Sequence, residues 1–190
     1  MKLILASKSP RRAEILRNIG LDFEIRVSNA DEYVPESITD PRKIVEHLAS
    51  LKAHDLKSTL GENELLIAAD TLVFNGSTRL GKPADAEEAF RTLRTLSGKK
   101  HTVITGIAVM SQENLVCDNV ATDVYFKELS DEEIERYILT KEPLDKAGAY
   151  GIQGLGGKFV KRIDGDYFSV VGLPVCRLCE ILVNNFKYDL

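Results

Sequence analysis

The side chains best suited to chemistry include a cluster of hydroxyls and cations close to the start of the chain. The cluster consists of Ser7, Lys8, Ser9, Arg11 and Arg12. Ser9 is a favourable helix cap and Pro10 suits the first helical position, so the stretch predicts a turn between a buried strand and a helix. A helix N-terminus and the forked donors of arginine both bind phosphate oxygens. We therefore predict a phosphate site, with a basic turn that pairs with acids elsewhere in the chain as the alternative.

A carboxylate inside an apolar run is the second chemical signal. Residues 65–74 are almost continuously apolar and predict a central strand buried on both faces, interrupted only by Asp70 and Thr71. A buried carboxylate costs free energy unless it is paired or bound to a cation. Asp70 is therefore predicted to bind a metal or to activate water. The plainer interpretation is a strand edge or a capped loop.

Two lysines and one glutamine complete the candidate set. Lys52 falls near the buried stripe of a helix that begins at Pro41, where it either extends along the surface or points into a cleft. Lys82 follows a short return strand and is expected at the same end of the sheet as Asp70. Gln153 lies in a glycine-rich segment whose backbone can approach a ligand, and its amide suits a nucleobase edge, although a flexible hairpin tip explains the glycines as well.

Composition limits the classes of partner and compartment. The 190 residues suit one domain, or two small lobes around one cleft, and the net charge of −4 argues against nucleic acid as a partner. No apolar run is long enough for a membrane span, and no export signal is expected at the N-terminus. Three cysteines point to the reducing cytoplasm, with Cys176 and Cys179 read as small core residues. The three scattered histidines argue against a histidine-built metal site.

The remaining pattern predicts an α/β chain. Apolar alternation and buried runs predict strands near residues 3–6, 23–27, 65–74, 101–110, 114–126 and 158–163. Caps and helical spacing predict helices that begin near residues 10, 41, 85, 130 and 175.

Five motifs occur in an order that resembles a known family. They are residues 6–12, 68–71, 81–83, 142–154 and 171–174. Because of these motifs and their order, the chain closely resembles the Maf (septum-formation-inhibitor-like) nucleoside triphosphate pyrophosphatases over essentially its whole length. The resemblance implies one domain, residues 1–190, with a mixed, strongly curved central sheet flanked by helices. It also implies two lobes around a cleft, as in inosine triphosphate pyrophosphatases.

The resemblance implies an enzyme that hydrolyses a nucleoside triphosphate between the α- and β-phosphates, with Mg²⁺ or Mn²⁺. Asp70-Thr71 and Gln153 match the branch that prefers dTTP and UTP, whereas a sister branch prefers 7-methyl-GTP. A homodimer and the removal of modified pyrimidine triphosphates are further expectations from the family. The alternatives are a nucleotidyltransferase or phosphatase, and a non-catalytic nucleotide-binding regulator of septum formation.

The resemblance also implies roles for single residues. Asp70, as general base, Glu32, Lys52 and Lys82 would be catalytic, with Asp70 and Glu32 holding the metal. The residues expected to bind the triphosphate are Ser7, Ser9, Arg11 and Arg12. Those expected to set specificity are Arg12, Thr71 and Gln153. Asp31 is an alternative to Glu32 as the functional acid.

Overall fold

The computed structural model describes residues 1–190 as seven strands and six α-helices. The strands are β1 (Lys2–Leu5), β2 (Phe23–Ile25), β3 (Glu64–Asn75), β4 (Thr78–Leu80), β5 (Lys100–Met110), β6 (Leu115–Phe126) and β7 (Val160–Asp164). The α-helices are α1 (Pro10–Asn18), α2 (Pro41–Asp55), α3 (Ala86–Leu96), α4 (Asp131–Ile138), α5 (Tyr167–Val171) and α6 (Val175–Phe186). Four short 3-10 helices cover Lys57–Thr59, Glu142–Asp145, Ala147–Ala149 and Leu155–Phe159. None of the helices is both long and apolar enough to cross a membrane.

The strands form a mixed sheet in the order β2-β1-β3-β5-β6-β7, with β4 paired to β3. Strand β1 runs parallel to both of its neighbours, and Leu3 lies opposite Phe23 on β2 and Leu65 on β3. Strands β3 and β4 are antiparallel, as are β6 and β7. The predicted mixed α/β sheet flanked by helices is therefore confirmed.

The chain divides into two compact units. Unit 1 comprises Met1–Asp70, Thr105–Val120 and Gly172–Leu190. Its apolar core includes Ile4, Ala49, Leu66 and Ala108, which are fully buried. Helix α2 lies directly on β5, because a Cβ at Gly106 would come within 2.3 Å of the carbonyl oxygen of Val45. This close approach sets the position of α2 in unit 1.

Unit 2 comprises Thr71–Ile104 and Ala121–Val171. Its core is built from α3, α4 and an aromatic group in which the rings of Phe126, Tyr150 and Phe159 meet edge to face. The cap predicted at the start of α4 is present as a capping box. The Ser130 hydroxyl accepts from Glu133 N, and the Glu133 carboxylate accepts from Ser130 N.

Two local predictions were wrong. Strand β7 begins at Val160 rather than residue 158, because Leu155–Phe159 form a 3-10 helix. Cys176 is exposed near the start of α6, so it is not a core residue, and Cys179 is only partly buried. The central strand predicted over residues 65–74 is confirmed, since β3 continues through both Asp70 and Thr71.

Candidate active site

In unit 1, the turn between β1 and α1 is organised by the buried hydroxyl of Ser7. Its oxygen accepts hydrogen bonds from the backbone N–H of Ser9, at 3.1 Å, and from Arg12 Nη1, at 3.3 Å. Ser9 occupies the N-cap position of α1, but its side chain makes no capping hydrogen bond, which corrects the predicted role of that hydroxyl. The predicted strand, turn and helix are otherwise confirmed.

The Arg12 side chain is anchored at two points. Its Nε donates to the carbonyl oxygen of Gly172 at 2.7 Å, in addition to the bond with Ser7. Burial lowers the pKa of Arg12, the negative charges of Asp70 and Glu32 oppose that change, and the neighbouring Arg11 adds to it. Arginine nevertheless stays protonated at neutral pH. The guanidinium is therefore a fixed, partly desolvated positive charge within range of both predicted acids.

Asp70, Lys52 and Glu32 form one charged network in unit 1. Asp70 is 8% exposed on β3, and its Oδ1 accepts from Lys52 Nζ at 2.5 Å. Glu32, on the loop before α2, reaches the same ammonium with its Oε1 at 2.9 Å. Of the two acids considered from the sequence, Glu32 is therefore the one that joins the network, while Asp31 is exposed beside it.

The second carboxylate oxygen of Asp70 sets this network apart. Oδ2 is buried and has no hydrogen-bond partner. Buried polar atoms are almost always satisfied, and exceptions point to a catalytic role or to a missing ion or water. No group of three or more His, Cys, Asp or Glu side chains is placed to hold a metal ion. Asp70 and Glu32 are the two carboxylates that the resemblance assigns to a metal, and two carboxylates suit Mg²⁺ when phosphates and waters complete its shell.

The candidates in unit 2 are Thr71, Lys82 and Gln153. Thr71 is half-buried on β3, whereas Lys82 and Gln153 are exposed. The segment of Lys82 is tied to the glycine-rich region, because the carbonyl oxygen of Gly81 accepts from Gly148 N at 3.0 Å. Two predicted motifs thus lie side by side within this unit.

Two supporting glycines had no predicted role, although Gly172 lies in the motif of residues 171–174. Gly106 lets α2, the helix that carries Lys52, lie on the sheet, and the carbonyl of Gly172 holds Arg12. Gly172 has a φ of 123°, a conformation that L side chains rarely adopt. In the sequence each of these residues is only a single glycine, and a single glycine does not predict which distant residue it will contact.

Residues 2–185 of this chain match a family model described as "Maf-like protein". The chain belongs to the Maf family. The close resemblance expected from the five motifs is thereby confirmed.

Curated members of the Maf family are similar to the chain over its full length. A dTTP/UTP pyrophosphatase of Alkaliphilus metalliredigens (strain QYMF) is 51% identical, with 100% of this chain and 98% of that protein covered. A dTTP/UTP pyrophosphatase of Thermoanaerobacter sp. (strain X514) is 48% identical, with all of both chains covered.

A more distant likeness exists among solved structures. A nucleoside-triphosphatase / dITP/XTP pyrophosphatase from Mycobacterium abscessus is 16% identical, with a TM-score of 0.41 and 68% of this chain and 76% of that one covered. A HAM1 protein from Coxiella burnetii gives the same TM-score at 14% identity, with 66% and 73% covered.

Proposed function

We propose that this Maf chain is a nucleoside triphosphate pyrophosphatase that hydrolyses dTTP and UTP between the α- and β-phosphates. The observation that carries the proposal is the buried carboxylate of Asp70, which has one oxygen on Lys52 and the other without a partner. A carboxylate held in this way can take a proton from water. The curated relatives, which share 48% and 51% sequence identity with this chain, are named dTTP/UTP pyrophosphatases, and these names support the same reaction and substrates.

The reaction begins with the triphosphate at the first turn of α1. Arg12, held by Ser7 and Gly172, is assigned to bind phosphate oxygens through its guanidinium. Arg11 and Ser9, together with the positive end of the helix, add to the attraction. From the resemblance, Ser7 is assigned to phosphate binding as well, and its contact with Arg12 supports that assignment.

The hydrolytic step is assigned to Asp70. Its Oδ2 accepts a proton from the attacking water, the new phosphorus–oxygen bond forms, and the bond between the α- and β-phosphates breaks. Pyrophosphate leaves with additional negative charge, which Lys52 and Lys82 are proposed to stabilise. Mg²⁺ or Mn²⁺, held by Asp70 and Glu32, would supply Lewis-acid polarisation of the phosphate oxygens.

Pyrimidine preference is assigned to Thr71 and Gln153, with Arg12 contributing from the phosphate side. A glutamine amide carries both a donor and an acceptor, so it can match the edge of uracil or thymine. We further propose that residues 1–190 act as one catalytic domain, in the cytoplasm and as a homodimer. The task inferred for the enzyme is the removal of modified pyrimidine triphosphates.

The test is an assay that separates pyrophosphate from phosphate release. The panel is dTTP, UTP, CTP, GTP and 7-methyl-GTP, each with and without Mg²⁺ or Mn²⁺. We expect metal-dependent pyrophosphate release from dTTP and UTP. Release chiefly from 7-methyl-GTP would refute the assigned specificity, release of phosphate alone would indicate a phosphatase, and intact dTTP after hours would favour a non-catalytic regulator.

A further inference from the structure

The turn that carries Gln153 is held by hydrogen bonds on both of its flanks. Before the glutamine, Gly151 N donates to the hydroxyl oxygen of Tyr137 at 3.1 Å. After it, Leu155 N donates to Glu142 Oε2 at 2.9 Å, and Gly156 N donates to Glu142 Oε1 at 3.1 Å. The glycine-rich segment is therefore an anchored turn rather than the flexible hairpin tip that its composition also allowed.

The two anchoring side chains are themselves linked. The Tyr137 hydroxyl donates to Glu142 Oε1 at 2.8 Å, and the tyrosine is fully buried on α4. Burial raises the pKa of Glu142, but the hydrogen bonds from Leu155, Tyr137 and Gly156 outweigh it, so that this pKa is lowered on balance. The carboxylate is thus held in its charged form, in which it accepts all three donors.

Steric and backbone constraints fix the same geometry. A Cβ at Gly154 would come within 2.5 Å of Glu142 Oε1, and one at Gly156 within 2.6 Å of the Tyr137 hydroxyl oxygen. Lys141, directly before Glu142, has a φ of 62°, in the left-handed region that non-glycine residues rarely adopt. Such conformations persist only where the surrounding structure determines them, and they cluster at functional sites.

We propose that Glu142 and Tyr137 are positioning residues that set the orientation of the Gln153 turn and, through it, the discrimination between UTP and CTP. This inference rests on the proposed function and adds the residues behind the specificity. Uracil and cytosine differ in the donor and acceptor groups on the edge that an amide would face. A misplacement of about 1 Å can cost ~10²-fold in rate, so loosening the turn should be visible in the ratio of kcat/KM values.

The main variant is Glu142→Gln, and the second is Tyr137→Phe, which keeps the ring in the core. Glu133→Gln is the matched control. This variant in unit 2 also loses a charged bond to a backbone N–H and to a side chain, but the partners are Ser130 and Lys127 rather than residues of the turn. Amide hydrogen exchange at residues 151–157 should rise about tenfold or more in Glu142→Gln and Tyr137→Phe, and not in the control. The kcat/KM ratio of UTP over CTP should fall about tenfold in the same two variants.

The third arm tests whether the effect passes through Gln153. In a Gln153→Ala background, Glu142→Gln should no longer change the UTP to CTP ratio, because the side chain that it orients is gone. Unchanged exchange, an unchanged ratio, or the same fall in the ratio with Glu133→Gln would each overturn the proposal. If the wild-type chain hydrolyses neither triphosphate, the proposed function fails and the specificity role with it. The exchange comparison would then still decide whether Glu142 orders the turn.

Discussion

Replacing Asp70 by Asn tests the centre of the mechanism with almost no change in shape. Asparagine keeps the volume of the side chain and an oxygen that can accept from Lys52, but it cannot take a proton from water. Loss of a general base lowers rates by ~10²–10⁴-fold, so kcat for UTP should fall within that range. KM should change much less, since the contacts of Arg12 with Ser7 and Gly172 do not involve Asp70.

The same variant should remain folded, and the structure supplies the magnitude. Leaving a buried charge without its partner costs about 3–5 kcal/mol, but Lys52 keeps Glu32 at 2.9 Å. We therefore expect a loss of only about 1–2 kcal/mol in the free energy of unfolding. For a chain of this length that corresponds to a fall in Tm of about 2–8 °C. Thermal unfolding followed by circular dichroism measures it.

Asp118→Asn is the matched control within unit 1. Asp118 pairs with Arg177 at 2.5 Å, so this variant also loses a carboxylate–cation pair, but not one in the Asp70 network. It should keep its full kcat in the pyrophosphate-release assay. Loss of a general base is expected to lower kcat at least ~10²-fold. An Asp70→Asn variant whose kcat stays within about threefold of the wild-type value would therefore refute the role of Asp70. Equal losses in both variants would refute it too.

Three further outcomes are expected. Glu32→Gln should lower kcat and Asp31→Asn should not, because only Glu32 is joined to Lys52; steady-state kinetics of the two variants decides. Gly106→Ala should lower the free energy of unfolding by about 1–3 kcal/mol in urea titrations, since its Cβ would meet the Val45 carbonyl. Burial lowers the pKa of His101 from 6.5 to about 4, so the unfolded chain binds this proton more readily. The contribution of the neutral His101 side chain to the free energy of unfolding should be fully present above pH 6.5. It should decrease by up to about 3 kcal/mol as the pH falls towards 4, and His101→Gln should abolish this decrease.

The parts of the fold that were predictable depend on neighbours in the sequence. Asp40 and Asp85 each cap the helix that follows them, and the expected helices begin at the next residue. Such signals act within one turn, so a single stretch of sequence contains all the information they need. The short return strand expected before Lys82 is likewise present, as β4 paired antiparallel with β3.

The unpredicted parts depend on partners that are distant in the chain. The contact between Arg12 and Gly172 spans 160 positions, and the anchoring of Leu155 by Glu142 spans 13. No periodicity encodes such contacts. The choice between Asp31 and Glu32 could not be predicted for the same reason. Both acids lie in one loop, and only the contact with the distant Lys52 distinguishes Glu32 from Asp31.

A second strand aspartate offers a comparison for the role proposed for Asp70. Asp123, on β6 in unit 2, has both carboxylate oxygens satisfied, Oδ1 by the Thr102 hydroxyl at 2.7 Å and Oδ2 by Lys100 Nζ at 2.8 Å. A carboxylate that serves only the fold is expected to look like this, because every unsatisfied buried oxygen costs about 1–3 kcal/mol. Asp70 is more deeply buried, yet it leaves Oδ2 without a partner. Folding alone would favour a second donor at that oxygen, so the contrast with Asp123 supports the proposal that Oδ2 of Asp70 receives water or a cation during turnover.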